Sequence, residues 1–137
     1  MKFHVLAFLA ALVVTAAGNF VIHGKILQPR YLESPQLIRG AADGEAHAPF
    51  LFLAFAVFSL GAVWLFSRTL AGSPWVQAGL AFGAALWLIA TVSRYLTYYA
   101  IAPWPPRVVG MQIALELPLM LAVGLAIAAI LGRRAAA

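Results

Sequence analysis

Four long runs of apolar residues, separated by short polar or proline-containing segments, divide the chain. They cover residues of about 3–22, 49–67, 75–101 and 108–131. Each run reaches the roughly 20 residues that a helix needs to cross a bilayer, and at this length only helices satisfy their own backbone hydrogen bonds in lipid. The pattern therefore predicts an all-α fold: an integral membrane four-helix bundle, antiparallel and up-down, that forms a single transmembrane domain over residues 1–137.

Prolines and glycines mark the ends of these spans. Pro49 suits the first turn of the second span, where a missing N–H costs nothing. Gly72-Ser73-Pro74 separates spans two and three, and the Pro103–Pro106 segment predicts a tight reversal between spans three and four. The first run follows Lys2 and contains Val14-Thr15-Ala16, which is the pattern of a secretory signal. We expect this run to be retained as a membrane helix.

The connection of residues 24–48 is the only long one. Within it, Ser34-Pro35 is typical of an N-cap and a first helical residue, and predicts a short interfacial helix. Asp43, Glu45 and His47 alternate ahead of the second span. We interpret them as a solvated stretch of a flexible loop, with a loose divalent-metal cluster as the alternative.

Composition excludes several classes of protein. Hydrophobic residues make up 64% of the chain and charged residues 9%, whereas about a quarter of the residues in a soluble domain are charged. A soluble domain and a disordered chain are therefore both excluded. Zero cysteines exclude disulfides, thiolate metal sites and cysteine nucleophiles. The net charge of +5 comes from scattered basic residues, so we expect no nucleic-acid partner.

The basic residues give little information on orientation. Four spans put both termini on one side, together with Lys2, Arg68, Arg133 and Arg134, while the other side carries Lys25, Arg30, Arg39 and Arg107. The positive-inside rule therefore gives a tie. Arg133 and Arg134 directly follow a span, which favours cytoplasmic termini.

Two charged residues lie inside the spans, Arg94 in the third and Glu116 in the fourth. A lone charge at the bilayer centre costs about 3 kcal/mol or more. Each of the two residues is eleven positions from Pro105, so a hairpin that rises about 1.5 Å per residue places them at the same depth. Tyr98 and Gln112 are related in the same way, one turn nearer the loop. The spacing predicts a polar seam of two facing pairs inside the hairpin.

Two interpretations of this seam stay open. The first is a structural salt bridge between Arg94 and Glu116 that fixes the hairpin. The second is a polar cavity in which Glu116 binds a cation or a proton and Arg94 adjusts its proton affinity. Pro118 is expected to kink the fourth span and to free the carbonyl of Ala114 beside this site.

Histidine and asparagine give weaker signals. Asn19 and His23 lie four residues apart near the end of the first span and are candidates to extend the polar seam. His4, His23 and His47 are the only histidines and none lies at the middle of a span, so a bis-histidine haem is not expected. We predict no cofactor and no metal.

Small residues recur at the spacing that lets two helix backbones approach closely. Gly79 and Gly83 form a G-x-x-x-G pattern in the third span, and Gly124 and Ala128 have the same spacing in the fourth. The partner of these faces is a helix of the same chain or of a neighbouring one, and the sequence leaves both open.

Several short motifs carry a resemblance to a known group of proteins. They are His23-Gly24, Ile26-Leu27, Tyr31, Pro49-Phe50, residues 73–80, residues 95–100 and Pro103. Together they cover most of the chain and resemble a group of small four-span proteins of the bacterial inner membrane, to which no activity is assigned. The resemblance implies that location and implies no reaction.

Three functions follow as hypotheses. The favoured one is a non-catalytic accessory or assembly subunit, whose partners are lipid and other membrane subunits or copies of itself. The alternative is a small oligomeric transporter or channel that uses Arg94 and Glu116. The third is a membrane enzyme that acts on a lipid or a quinone through His23 and the tyrosines Tyr95, Tyr98 and Tyr99.

Overall fold

The computed structural model describes residues 1–69 and 74–132. Within these ranges four helices are long and apolar enough to cross a membrane, and no strand is present. The prediction of an all-α four-helix bundle is confirmed. Span 1 is an α-helix over Lys2–Val21 (α1) that continues as a π-helical turn over Ile22–Ile26, and span 2 is a single helix over Ala41–Thr69. Span 3 consists of an α-helix over Trp75–Leu86, a π-helical turn over Trp87–Val92 and a second α-helix over Ser93–Ile101. Span 4 is a single helix over Pro106–Leu131.

The connection between spans 1 and 2 is mostly helical. It contains a short helix over Gln28–Leu32, called α2 below, and a single 3-10 turn over Pro35–Leu37. Ser34 lies at the N-cap of that turn but makes no capping hydrogen bond with its side chain. The predicted linker at Gly72-Ser73 and the arginines Arg133 and Arg134 lie outside the described residues.

The start of span 2 corrects the predicted boundary. The helix begins at Ala41, so Pro49 lies inside it rather than in its first turn, and the stretch before Pro49 is not a flexible loop. Two side chains contact Asp43 in these first turns: Arg39 donates to its carboxylate at 2.7 Å, and Nδ1 of His47 lies 2.8 Å from its backbone carbonyl oxygen and 3.1 Å from its carboxylate. An acidic residue is also favourable at this end of a helix. Exposed pairs of this kind contribute at most about 1 kcal/mol each, less than the roughly 3 kcal/mol that an interior proline costs, so they support the helix without offsetting Pro49.

Span 4 is the central helix, because it packs against both span 3 and span 1. Gly79 and Gly83 face span 4 so closely that a Cβ at Gly83 would lie 2.6 Å from the Met120 carbonyl oxygen. A Cβ at Gly79 would lie 3.0 Å from the Cβ of Ala128, and Gly124 packs directly on the two glycines. The small-residue faces of spans 3 and 4 are therefore each other's partners within one chain.

Spans 2 and 3 are in contact near the chain ends and separate away from them, while a groove of about 650 Å³ lies on another side of the same end, between spans 1 and 2. Near the chain ends the rings of Phe66 in span 2 and Phe82 in span 3 meet edge to face, with centroids 5.2 Å apart. Farther along, a cavity lies between the same two spans and is bounded by Phe55 on one side and Arg94 on the other. The candidate site lies in this half of the bundle.

Candidate functional site

Glu116 is the centre of the site, and its side chain is only 1% exposed. Four side chains surround its carboxylate. Thr91 donates to Oε2 at 2.7 Å and Tyr95 donates to Oε1 at 2.5 Å, while Nη2 of Arg94 lies 3.2 Å from both oxygens and Nε2 of His23 lies 3.1 Å from Oε1. A carboxylate has about four lone-pair positions. All of them are engaged, so no position is left for a cation.

The structure brings together one of the two predicted pairs. Arg94 and Glu116 meet, whereas Gln112 donates to the Tyr31 hydroxyl at 3.0 Å instead of pairing with Tyr98. Spans 3 and 4 are in closest contact at their glycines and diverge toward the proline turn, and Tyr31 of α2 occupies the space over Gln112. Tyr98 is 45% exposed and lines the same cavity.

His23 joins the carboxylate to α2. The Tyr31 oxygen lies 2.5 Å from Nδ1 of His23 and already accepts from Gln112. The Glu116 carboxylate only accepts hydrogen bonds, so the proton of a neutral imidazole lies on Nε2, and Nδ1 accepts from the Tyr31 hydroxyl. The hydrogen-bond network thus assigns His23 as a neutral imidazole with its proton on Nε2. Burial raises the pKa of the Tyr31 phenol above its usual value, although the Gln112 hydrogen bond acts in the opposite direction.

Two π-helical turns supply residues of the site. His23 lies in the turn of span 1, and Thr91 lies in the turn of span 3. π-helical turns are rare in proteins overall, but those that occur are often found at functional sites. Each hydrogen bond in such a turn spans one more residue than in an α-helix, which changes the direction of the side chains that follow. Trp87, at the start of the second turn, donates to the Ile113 carbonyl at 2.8 Å and so links spans 3 and 4 beside the carboxylate.

Pro118 lies inside span 4, which is α-helical without a break over Pro106–Leu131. The proline has no N–H for the Ala114 carbonyl, and the neighbouring carbonyl of Ile113 accepts from the Trp87 indole. The predicted kink stays a prediction.

Asn19 lies outside the carboxylate network. Its side chain donates to the backbone carbonyl of Thr15, one turn earlier in span 1, at 2.9 Å, and both residues line the cavity. The Thr15 hydroxyl is buried and has no hydrogen-bond partner among the residues that the structure describes.

The cavity beside Glu116 has a volume of about 360 Å³. One wall carries the polar groups of spans 1, 3 and 4, and the opposite wall consists of apolar residues of span 2, namely Leu51, Ala54, Phe55 and Phe58. The Arg94 guanidinium lies over the Tyr95 ring, 4.7 Å from its centroid, and the arginine side chain is 45% exposed. Only its Nη2 contacts the carboxylate, so its other N–H groups are available to the cavity.

Sequence reasoning missed two residues of the network. Thr91 has the helical spacing of i−3 and i−4 from Arg94 and Tyr95, and this spacing was a usable signal. Tyr31 had none, because only the fold of α2 places it beside His23. Asp43, Glu45 and His47 lie away from this site, and the described parts of the chain hold no cluster of three residues suited to a metal.

No protein family, curated protein or solved structure matches this chain. The resemblance to small bacterial four-span proteins stays an expectation, and the function proposed below is supported by the geometry of the site.

Proposed function

We propose that this protein is a small membrane transporter that carries protons across the bilayer, with Glu116 as the group that takes up and releases the proton. One observation carries the proposal. A carboxylate buried to 1% exposure is connected through His23 and Tyr31 to the end of the bundle that carries α2, and it borders a cavity of about 360 Å³. Ionisable groups inside a membrane typically belong to transport pathways and proton relays.

The hydrogen bonds are aligned for one proton transfer. Nδ1 of His23 takes the Tyr31 hydroxyl proton, and Tyr31 regains a proton from water. Nε2 of His23 then passes its own proton to Oε1 of Glu116. The net change is one proton moved from water to the carboxylate, with the remaining histidine proton on Nδ1 instead of Nε2, so the imidazole returns to its first tautomer before the next transfer. Neutral Glu116 attracts Arg94 less strongly, so protonation frees the guanidinium to interact with the cavity.

An accessory subunit has less support than it had from the sequence alone. The small-residue faces that favoured association with other subunits are occupied within the chain, between spans 3 and 4. The cavity also argues against a purely structural role for the Arg94–Glu116 salt bridge. Membrane helices gain stability by close packing, so a pair that served only stability would not need an open space beside it.

Proton flux in proteoliposomes tests the proposal. A potassium diffusion potential drives protons into vesicles that contain a pH-sensitive dye. We expect flux above that of protein-free vesicles, and we expect Glu116→Gln to abolish it because the amide cannot carry the proton. The matched control is Asp43→Asn, which removes an exposed carboxylate at the start of span 2 and should leave the flux unchanged.

Tyr31→Phe covers the case in which Glu116→Gln does not fold. It keeps the ring but removes the hydroxyl that supplies His23, so we expect slower flux. Wild-type flux at the protein-free level, or wild-type rates in both variants, would overturn the proposal.

A further inference from the structure

We infer that the substrate is a lipophilic anion: a carboxylate or phosphate on a single apolar chain, which binds Arg94 after entering from the bilayer between spans 2 and 3. This inference rests on the proposed function and names the substrate class of the same cavity. The carboxylate and phosphate forms share one chemistry, and the experiment below separates them.

The first step concerns which charged group is available. Glu116 has no free lone pair, whereas Arg94 uses only one nitrogen, at the long distance of 3.2 Å, and is 45% exposed toward the cavity. Unpaired N–H groups of a guanidinium are costly within a membrane. A planar guanidinium fits a carboxylate or a phosphate with two parallel hydrogen bonds. The Arg94 guanidinium is therefore the charged group that remains available to a substrate, and it favours an anion.

The second step concerns the tail. The wall of the cavity formed by span 2 contributes no polar side chain. Ala90, which lines the cavity from span 3, adds apolar surface on the opposite side. A small hydrophilic anion gains nothing from this wall, whereas an alkyl chain buries apolar surface against it.

The third step is the charge balance. The charges of Arg94 and Glu116 cancel, and His23 is neutral in the observed network. The titratable or charged groups that line the cavity are His23 of span 1, Tyr31 of α2, Arg94, Tyr95 and Tyr98 of span 3, and Glu116 of span 4, with none from span 2. One bound carboxylate therefore leaves one negative charge, which one proton on Glu116 or His23 cancels, so binding of a carboxylate should take up one proton per molecule. An alkyl phosphate carries a charge of about −1.5 to −2 near neutral pH, so its binding should take up between one and two protons.

Binding to the purified protein in a non-ionic detergent tests this inference. Binding is preferable to flux here, because a fatty acid crosses a bilayer with its own proton. The probes are decanoate, decyl phosphate, decanol and butyrate. Their binding is followed by titration calorimetry and by the change in tryptophan fluorescence that Trp104→Phe removes, since Trp104 is the tryptophan that lines the cavity. We expect decanoate or decyl phosphate to bind at least about tenfold more tightly than decanol and butyrate.

Matched variants assign the binding to the cavity. Arg94→Gln should abolish it, and Arg107→Gln, which removes an exposed arginine at the start of span 4, should not. Ala90→Phe should weaken it by narrowing the cavity, whereas Ala81→Phe, on an exposed face of span 3 near the chain ends, should not. The Ala90 pair keeps the test informative if Arg94→Gln does not fold.

The outcomes separate this inference from the proposed function. Equal affinity for decanol, absence of binding for both anions, or binding that survives Arg94→Gln and Ala90→Phe would overturn the inference, even if proton flux through Glu116 is found. Anion binding that depends on Arg94, without any proton flux, would instead overturn the transport proposal and leave the site in place. Preference for one anion identifies the head group as carboxylate or phosphate.

Discussion

At the scale of single residues, Glu116 differs from a simple salt-bridge partner. Three of its four donors are neutral side chains, and one of them, Thr91, is fully buried. A buried donor that loses its acceptor carries the full desolvation penalty of that group. The carboxylate is therefore the acceptor of a network, and Arg94 is its most exposed member.

A double-mutant series measures this difference. We expect Glu116→Leu to lower the free energy of unfolding by about 3–5 kcal/mol, and Arg94→Met to cost less, because its guanidinium is partly exposed. If the two residues formed an isolated pair, the double variant would recover stability. We expect no recovery, because His23, Thr91 and Tyr95 still lack an acceptor. Denaturation in mixed micelles gives the four values, and wild-type stability in the double variant would contradict the network.

The raised pKa of the Tyr31 phenol predicts how the stability of the protein changes with pH. Burial raises its pKa in the folded protein above the unfolded value of about 10. A raised pKa means that the contribution of the protonated phenol to stability is complete below pH 10 and is lost as the pH rises through the folded pKa. The stability difference between wild type and Tyr31→Phe should therefore shrink above pH 10 in thermal denaturation. Tyr99→Phe, at an exposed position, is the control, and the idea fails if both differences follow the same pH curve.

At the scale of elements, the sequence predicts how deep a side chain lies in the bundle better than it predicts which neighbour that side chain contacts. Equal distances from Pro105 place Arg94 and Glu116 at one height, because the rise per residue of a helix is constant. The same reasoning was wrong for Tyr98 and Gln112, since the spans diverge there and α2 intervenes. The π-helical turns carry no proline and no composition that would reveal them in advance. The boundary of span 2 was misplaced because Pro49 is typical of a first helical turn, whereas the helix begins at Ala41 and continues through the proline.

Helix contact between spans 3 and 4 gives a prediction with an internal control. A Cβ at Gly83 would lie 2.6 Å from the Met120 carbonyl oxygen and 2.7 Å from the Leu121 Cα, and backbone atoms cannot move away cheaply. We expect Gly83→Ala to destabilise the bundle by about 1–3 kcal/mol. Gly110→Ala, in span 4, has no atom within 4 Å of the new Cβ and should be neutral or stabilising, by up to about 1 kcal/mol. Equal shifts of the two denaturation midpoints would contradict the close contact.

At the scale of the whole molecule, spans 2, 3 and 4 pack against one another in the half near the chain ends and surround the polar cavity in the half near α2. Glycine packing and the Phe66–Phe82 contact join these spans near the chain ends, where an apolar groove of about 650 Å³ remains between spans 1 and 2. Glu116 lies at the boundary between the two halves. A carboxylate in that position is reachable from one end of the bundle, which is the arrangement that one state of an alternating-access transporter requires.

Water in the half near α2 is the condition on which the proton pathway depends, and labelling of single cysteines measures it. The native chain contains no cysteine, so every introduced thiol reports alone. Tyr98 and Leu88 are both exposed in span 3, at 45% and 56%, but only Tyr98 lines the polar cavity. Because the reactive species is the thiolate, which needs water, Tyr98→Cys should react with a membrane-impermeant methanethiosulfonate and Leu88→Cys should not. Decanoate should slow the first reaction by filling the cavity. Absence of reaction at Tyr98→Cys would mean that the cavity holds no water, and a proton could not then reach His23 through it.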